Sequence, residues 1–204
     1  MVQANPGRSP QDRFATAGQA VSLETERFRL RSLRPSDASD RYLGWIADPA
    51  VMTPLNMPAR RLTMDDLRAH ISGFDNRTRY LVGMFDRETG VHFGVFLVDV
   101  LPQHRLAKLQ YLIGERDYRG TGAFRETAAA LITHLFRACS VEKIAAQITV
   151  GNEASIAAIE ALGFRREGEM KGEIRSFEDG RRLDQIFFGI LADEWSGAGN
   201  PDGD

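Results

Sequence analysis

An apolar run, Leu109-Gln110-Tyr111-Leu112-Ile113, leads to Tyr118-Arg119-Gly120-Thr121-Gly122-Ala123-Phe124 and then to a helical stretch over residues 126–138. Strand, glycine turn and helix in that order leave few folds open. Glycines one residue apart let the backbone turn through conformations closed to other residues. The helix that follows presents unpaired N–H groups and the positive end of its dipole to whatever lies in the turn. Such a turn is an anion site, suited to phosphate. The segment predicts an α/β chain that holds a phosphorylated ligand at the end of a strand.

The remaining pattern agrees. Residues 27–33 alternate with Phe28 and Leu30 on one face, and read as a strand. Ser36 is the expected N-cap of a helix running to Ala47, which Asp48-Pro49 stops, and residues 52–61 read as a loop. Thr63 caps a second helix carrying Leu67 and Ile71. Strands over 80–85, 92–100 and 106–113 form a meander, and 143–150 and 186–191 read as strands around a short helix that ends at Gly163. The order describes a single α/β domain with a mixed sheet. Residues 1–20 are polar and expected to be disordered or extended, residues 21–195 to form the domain, and residues 196–204 to be a flexible tail.

Composition narrows the partners. Lys and Arg total 26 against 28 for Asp and Glu, and the arginines come in pairs, so no nucleic acid partner is expected. Cys139 is the only cysteine, which excludes an intramolecular disulfide. It follows an apolar helical run and reads as a small helix-end residue. The chain has neither a long apolar run nor a signal-like start. A soluble, cytoplasmic protein with no membrane partner is expected. His70, His92, His104 and His134 are scattered without ligand spacing, so no metal site is expected.

Three phosphate-binding readings compete for the turn. A Walker loop needs Lys-Ser or Lys-Thr after its last glycine, where Ala123-Phe124 stand. A dinucleotide fingerprint needs a third glycine, but Arg125 follows Phe124 and the helix simply continues. The third reading is a resemblance. Arg119-Gly120-Thr121-Gly122, after the strand at 109–113, resembles the coenzyme A pyrophosphate loop of the GNAT acyltransferases. Leu30-Arg31-Ser32-Leu33-Arg34-Pro35-Ser36-Asp37 and Asp48-Pro49-Ala50-Val51-Met52 resemble the opening of the subfamily that acetylates ribosomal-protein N-termini. Asn152-Glu153-Ala154-Ser155, with Glu160-Ala161-Leu162-Gly163-Phe164 and Glu167-Gly168, resembles that subfamily's second motif. Two motifs in the right order carry the resemblance, which runs over residues 28–192.

The resemblance implies a GNAT-like mixed sheet of about seven strands, flanked by helices and splayed between the fourth and fifth, here residues 106–113 and 143–150. Acetyl-CoA, as cosubstrate, enters the splay. Its pantetheine meets Leu112, Ile113 and Gly114, and its pyrophosphate meets Arg119, Gly120, Thr121, Gly122, Ala123 and Phe124. Asn152 and Ser155 lie near the pantetheine and the sulfur. The implied reaction is direct attack of a primary amine in a ternary complex, so Cys139 need not carry an acyl group. The acceptor is a small-molecule amine or a protein N-terminus, with contacts expected from residues 45–61 and 169–182. A homodimer is the assembly the resemblance allows.

Ser155 is the first choice for the group that meets the sulfur, and Tyr111 a second acid or acceptor contact. Glu173 is the candidate base, beside the place where the subfamily carries a glutamate. Neighbouring strand residues face opposite ways, so Glu173 needs a bulge to shift its register. Backbone N–H groups around Leu112-Ile113 are the candidate oxyanion donors. Plainer roles compete: Asn152 as a helix cap, Ser155 as part of a first turn, Tyr111 as core. Phe124 departs from the family pattern, which sets a small residue there. The favoured reading turns it into the core with Ala128 and Leu131; the other has it disturb the CoA site. Phe187-Phe188 stand where many members carry a tyrosine. Phe124, the unmatched base and these phenylalanines motivate the rival function, a non-catalytic acyl-CoA-binding or regulatory module with the same fold.

Overall fold

The structure, a computed structural model, describes residues 18–197. The expectations for residues 1–20 and 196–204 therefore fall, but for their inner ends, outside the described residues. The chain opens with β1 (Ser22–Glu24) and β2 (Phe28–Ser32), in which Phe28, Leu30 and Ser32 are buried and Arg29 is not. Helices α1 (Asp40–Ala47), α2 (Pro49–Met52) and α3 (Met64–Ser72) follow. The meander is β3 (Arg79–Asp86), β4 (His92–Leu101) and β5 (Leu106–Ile113). Helix α4 (Ala123–Ala138) crosses to β6 (Lys143–Thr149), which runs parallel to β5. Helix α5 (Glu153–Glu160) precedes the hairpin of β7 (Arg165–Arg175) and β8 (Arg182–Leu191). The sheet order is β1-β2-β3-β4-β5-β6-β8-β7.

Helices cover the sheet on two faces. Leu131, Ile132 and Leu135 of α4 and Ile159 of α5 pack with Leu30, Phe93, Phe96, Ile144 and Phe188 in the larger core. On the other face Tyr42 and Trp45 of α1 and Leu67 and Ile71 of α3 pack on Leu81 and Val95. The sheet has eight strands, against six read from periodicity and about seven implied by the resemblance, because β1 and β7 carry little periodic signal. The three residues of β1 pair with β2. The edge strand β7 is exposed along nearly its whole length, so no apolar alternation marks it.

The first helix also starts later than expected. Both oxygens of Asp37 accept from Arg31 at 2.7 Å, and Asp37 accepts from the Arg34 N–H as well. These bonds hold Pro35–Asp37 in a short 3-10 turn, and Ser39, not Ser36, caps α1. Asp48-Pro49 ends α1 but also opens α2, because Asp48 accepts from the Ala50 N–H and Pro49 suits a first helical position. Thr63 caps α3 as expected, with Asp66 completing a capping box.

The sheet has one seam. β5 and β6 pair only at Leu106–Lys143, Ala107–Ile144 and Lys108–Ala145. Beyond that, β5 stays with β4 and β6 stays with β8, so the strands diverge into a V.

His92 sits at a bulge where Phe85 pairs with His92 but Met84 with Gly94. Its ring stacks on Phe85 at 4.6 Å and meets Trp45 at 4.9 Å. Among the described residues its Nε2 has no hydrogen-bond partner. Burial drives its pKa from 6.5 down to about 4; a bond to Gly94 and the Asp37 charge oppose this, while Arg31 and Arg41 add to it. The folded state therefore refuses a proton that the unfolded chain accepts below 6.5. Stability is expected to fall between pH 6.5 and 4, by roughly 3 kcal/mol from this group. Melting curves across that window should show the slope, and His92→Leu should flatten it.

Candidate active site

The glycine turn has the conformation its sequence demands. Gly120 and Gly122 have φ of 74° and 80°, the left-handed region. Gly122 is the N-cap of α4 and supplies no side-chain cap. Among the described residues nothing accepts from the N–H groups of Gly120, Thr121, Gly122, Ala123 or Phe124. A row of free donors at a helix N-terminus is what a pyrophosphate needs.

Arg119 faces another way. Its Nε and Nη2 donate to the Ile113 carbonyl at 3.1 and 2.9 Å, and Nη2 reaches Gly114 O at 3.3 Å. The guanidinium fastens the turn to the end of β5. Gly114 is glycine because Trp45 lies against it; a Cβ there would fall 2.0 Å from Trp45 Cδ2. Trp45 is held in turn by donating Nε1 to Glu115 at 2.8 Å.

A second support of the turn is Arg27. Its Nη1 donates to Thr121 O at 3.2 Å, while Glu126 accepts from Arg27 N–H at 2.9 Å and Nε at 2.7 Å. Because a trans peptide is planar, holding the Thr121 carbonyl also aims the Gly122 N–H the opposite way. Burial works against ionisation of Glu126, but its bonds to Thr25 and Arg27 outweigh it and keep the carboxyl below its usual pKa. Residues 27 and 126 stand 99 apart in sequence, and no local signal links them.

The V exposes one edge of β5. Gly114 N–H donates to Phe93 O on β4, and Val100 N–H points away to Thr78 O. The alternation of an antiparallel ladder then turns Leu112 toward β4, and past the last seam pair it turns the N–H groups of Tyr111 and Ile113 toward the V. Of the two expected oxyanion donors, only Ile113 has its N–H on that side.

Tyr111 and Ser155 meet across the V. The Tyr111 hydroxyl donates to Ser155 Oγ at 3.0 Å, from β5 to the first turn of α5. Burial raises the Tyr111 pKa and its bond to Ser155 partly offsets this, so the phenol stays protonated at neutral pH. Phe124 turns inward, as its place on the α4 stripe suggested. Its ring stacks on Tyr111 at 3.9 Å and lies 6.0 Å from Phe96. Phe124 thus braces the tyrosine and leaves the N–H row open.

Asn152 fills its capping role, accepting from the Ser155 N–H at 3.3 Å, and donates its other end to Pro54 O at 3.1 Å. Glu173 is not hydrogen-bonded to the Tyr111–Ser155 pair. The bulge it required exists, between Met170 and Ile174, where Gly172 N–H donates to Asp184 at 2.6 Å. Glu173 nevertheless stays exposed and makes no hydrogen bond to Tyr111 or Ser155. Phe188 is core, and Phe187 points to the opposite face of β8. Cys139 ends α4, and burial pushes its thiol pKa up, which suits a packed residue. Among the described residues no His, Cys, Asp or Glu cluster is arranged for a metal, and no helix is long and apolar enough to cross a membrane.

A mixed sheet split at one seam, with an uncapped glycine helix-start on one side of the split, is the arrangement that the resemblance implied. The chain belongs to the GNAT acetyltransferase family, whose domain model matches residues 27–165. It is 30% identical over 94 residues to the putative ribosomal N-acetyltransferase YdaF of Bacillus subtilis, a match covering 46% of this chain and 50% of that protein. It thus spans about half the length of that curated relative. It is 27% identical over 183 residues to the uncharacterized N-acetyltransferase p20 of Bacillus licheniformis, covering 86% of this chain and 99% of that one. Its fold is like that of spermidine N-acetyltransferase from Vibrio cholerae, solved with CoA and spermine. The TM-score is 0.74 at 19% identity, over 83% of this chain and 98% of the other.

Proposed function

We propose that the protein is an acetyl-CoA-dependent N-acetyltransferase whose acceptor is a primary amine, either a protein N-terminal α-amine or a small-molecule amine, and that it works in the cytoplasm. The observation that carries this reading is the Tyr111–Ser155 bond across the V, beside a row of free N–H donors at the glycine turn. In this reading Gly120, Thr121, Gly122, Ala123 and Phe124 hold the pyrophosphate through their N–H groups. The pantetheine lies along the exposed edge of β5 and pairs with the Tyr111 N–H as an added strand would.

The neutral amine attacks the thioester carbonyl, the C–N bond forms and the oxygen takes the negative charge. The Ile113 N–H, facing the V, is the donor placed to stabilise that charge. Collapse of the adduct breaks the C–S bond and releases a thiolate. Ser155 Oγ gives its proton to the sulfur and is resupplied by the Tyr111 hydroxyl, which donates to it already. The proton lost by the nitrogen leaves through water, and a proton from the same water restores the Tyr111 phenol. A protein α-amine, with a pKa of about 7.7–8.0, is partly neutral near pH 7 and makes a water route sufficient.

The test is thiol release from acetyl-CoA with two probes, an alanine-initiated peptide amide and spermidine. Release that depends on one of these amines and rises with pH toward the amine pKa is expected. Tight acetyl-CoA binding without turnover on any amine panel would instead support the binding-module reading, which the lack of a hydrogen bond from Glu173 to the Tyr111–Ser155 pair favours. Absence of acetyl-CoA binding would end both.

A further inference from the structure

The two arms of the V are tied again at the mouth by side-chain amides. Thr53–Leu55, a 3-10 turn after α2, ends at Asn56, which has the left-handed φ of 52° and ψ of 42°. Asn is among the few non-glycine residues that tolerate this region. Asn56 Nδ2 donates to Arg175 O at 2.8 Å, and its Oδ1 accepts from the Phe177 N–H at 3.1 Å. One amide thus joins the carbonyl and the N–H on either side of Ser176, as a neighbouring strand would. Two residues earlier, Pro54 O accepts from Asn152, which also caps the turn containing Ser155. An unbroken series of hydrogen bonds and short chain links therefore runs from Tyr111 through Ser155 and Asn152 to the 53–57 segment and on to the β7–β8 hairpin.

This clasp spans the place where the sheet has no bonds of its own. The ladder between the arms ends at Lys108 and Ala145, and the clasp closes the far side from the helical layer of α1 to α3. It touches none of residues 119–124. Leu55, Met57 and Phe177 beside it remain 37%, 51% and 39% exposed, an apolar lip open to a substrate.

From this geometry we infer that Asn56 is a positioning residue for the acceptor: it holds the 53–57 segment and the hairpin at a fixed separation and so sets acceptor affinity. The inference rests on the acyl-transfer reading above. Asn56→Gly keeps the left-handed backbone and removes both bonds. Asn56→Asp keeps an acceptor for Phe177 but sets a carboxylate oxygen against the Arg175 carbonyl.

Steady-state kinetics with the alanine-initiated peptide amide and with spermidine, alongside acetyl-CoA calorimetry, test it. Both variants are expected to raise the acceptor KM by about tenfold, with kcat changed by less than about threefold and acetyl-CoA Kd unchanged. An acceptor KM equal to wild type in both variants overturns the inference. So does a parallel loosening of acetyl-CoA, which would make Asn56 a general structural residue. A wild-type protein that turns over neither probe nor any other amine overturns the proposed function and the positioning role together, an outcome distinct from the other two.

Discussion

Gly122→Val is expected to weaken acetyl-CoA binding by at least about a hundredfold while the protein still folds. Gly122 has φ of 80° and ψ of −1° at the N-cap of α4. A side chain there costs about 1–2 kcal/mol, and a β-branched one is a still poorer fit. The backbone relieves that strain by leaving the left-handed region, which swings the neighbouring N–H groups off their common target. Each bond from an N–H to a charged oxygen contributes about 1.5–3 kcal/mol, so losing one or two accounts for the effect. The fold should survive because a Cβ at this position meets only Arg27 Nη2, at 3.4 Å, an ordinary contact. Calorimetry with acetyl-CoA and a melting curve on the same sample decide the matter. Wild-type affinity in the variant would mean the phosphates bind elsewhere.

Ser155→Ala should lower kcat by about tenfold to a hundredfold and leave acetyl-CoA Kd nearly unchanged. General acids contribute more where the leaving group is poor. A thiolate leaves readily, so the lower part of the usual range applies. The variant also strands the Tyr111 hydroxyl in a half-buried site, at about 1–3 kcal/mol of stability. Tyr111→Phe removes the other end of the same pair. If the two act as one proton relay, the double variant should be hardly slower than Ser155→Ala alone, because residues working as a unit are not additive. A kcat equal to wild type in Ser155→Ala would return the serine to its place in the first turn of α5.

What could be read ahead of the structure was local. The turn at 119–124 was legible because two glycines one apart report their own backbone angles. Phe124 was assigned to the core by the α4 stripe, and Asn152 to a cap by its place before a helix; both are so placed. Ser36 misled because capping depends on what else claims the nearby polar groups, and Arg31 reaches Asp37 from β2. β7 was placed only through the resemblance and not by periodicity, since a strand exposed on both faces has no alternation to show. The supports of the site were out of reach for a different reason. Arg27 to Glu126, and Asn56 to the hairpin, are polar bonds between segments about a hundred residues apart, and single polar residues on loops carry no period.

The short seam between β5 and β6 has a further meaning. Beyond Lys108 and Ala145 each strand has an edge with no sheet partner, yet these edges lie in the middle of the sheet and not at its rim. Free strand edges ordinarily invite pairing with other chains, and proteins blunt them with charge, bulges or cover. Here the edge of β5 is screened by facing its own sister strand under α4 and α5. An unfinished sheet can therefore persist in a crowded solution without recruiting a stranger. The same incompleteness that suits the fold to a linear guest is kept harmless by folding it inward.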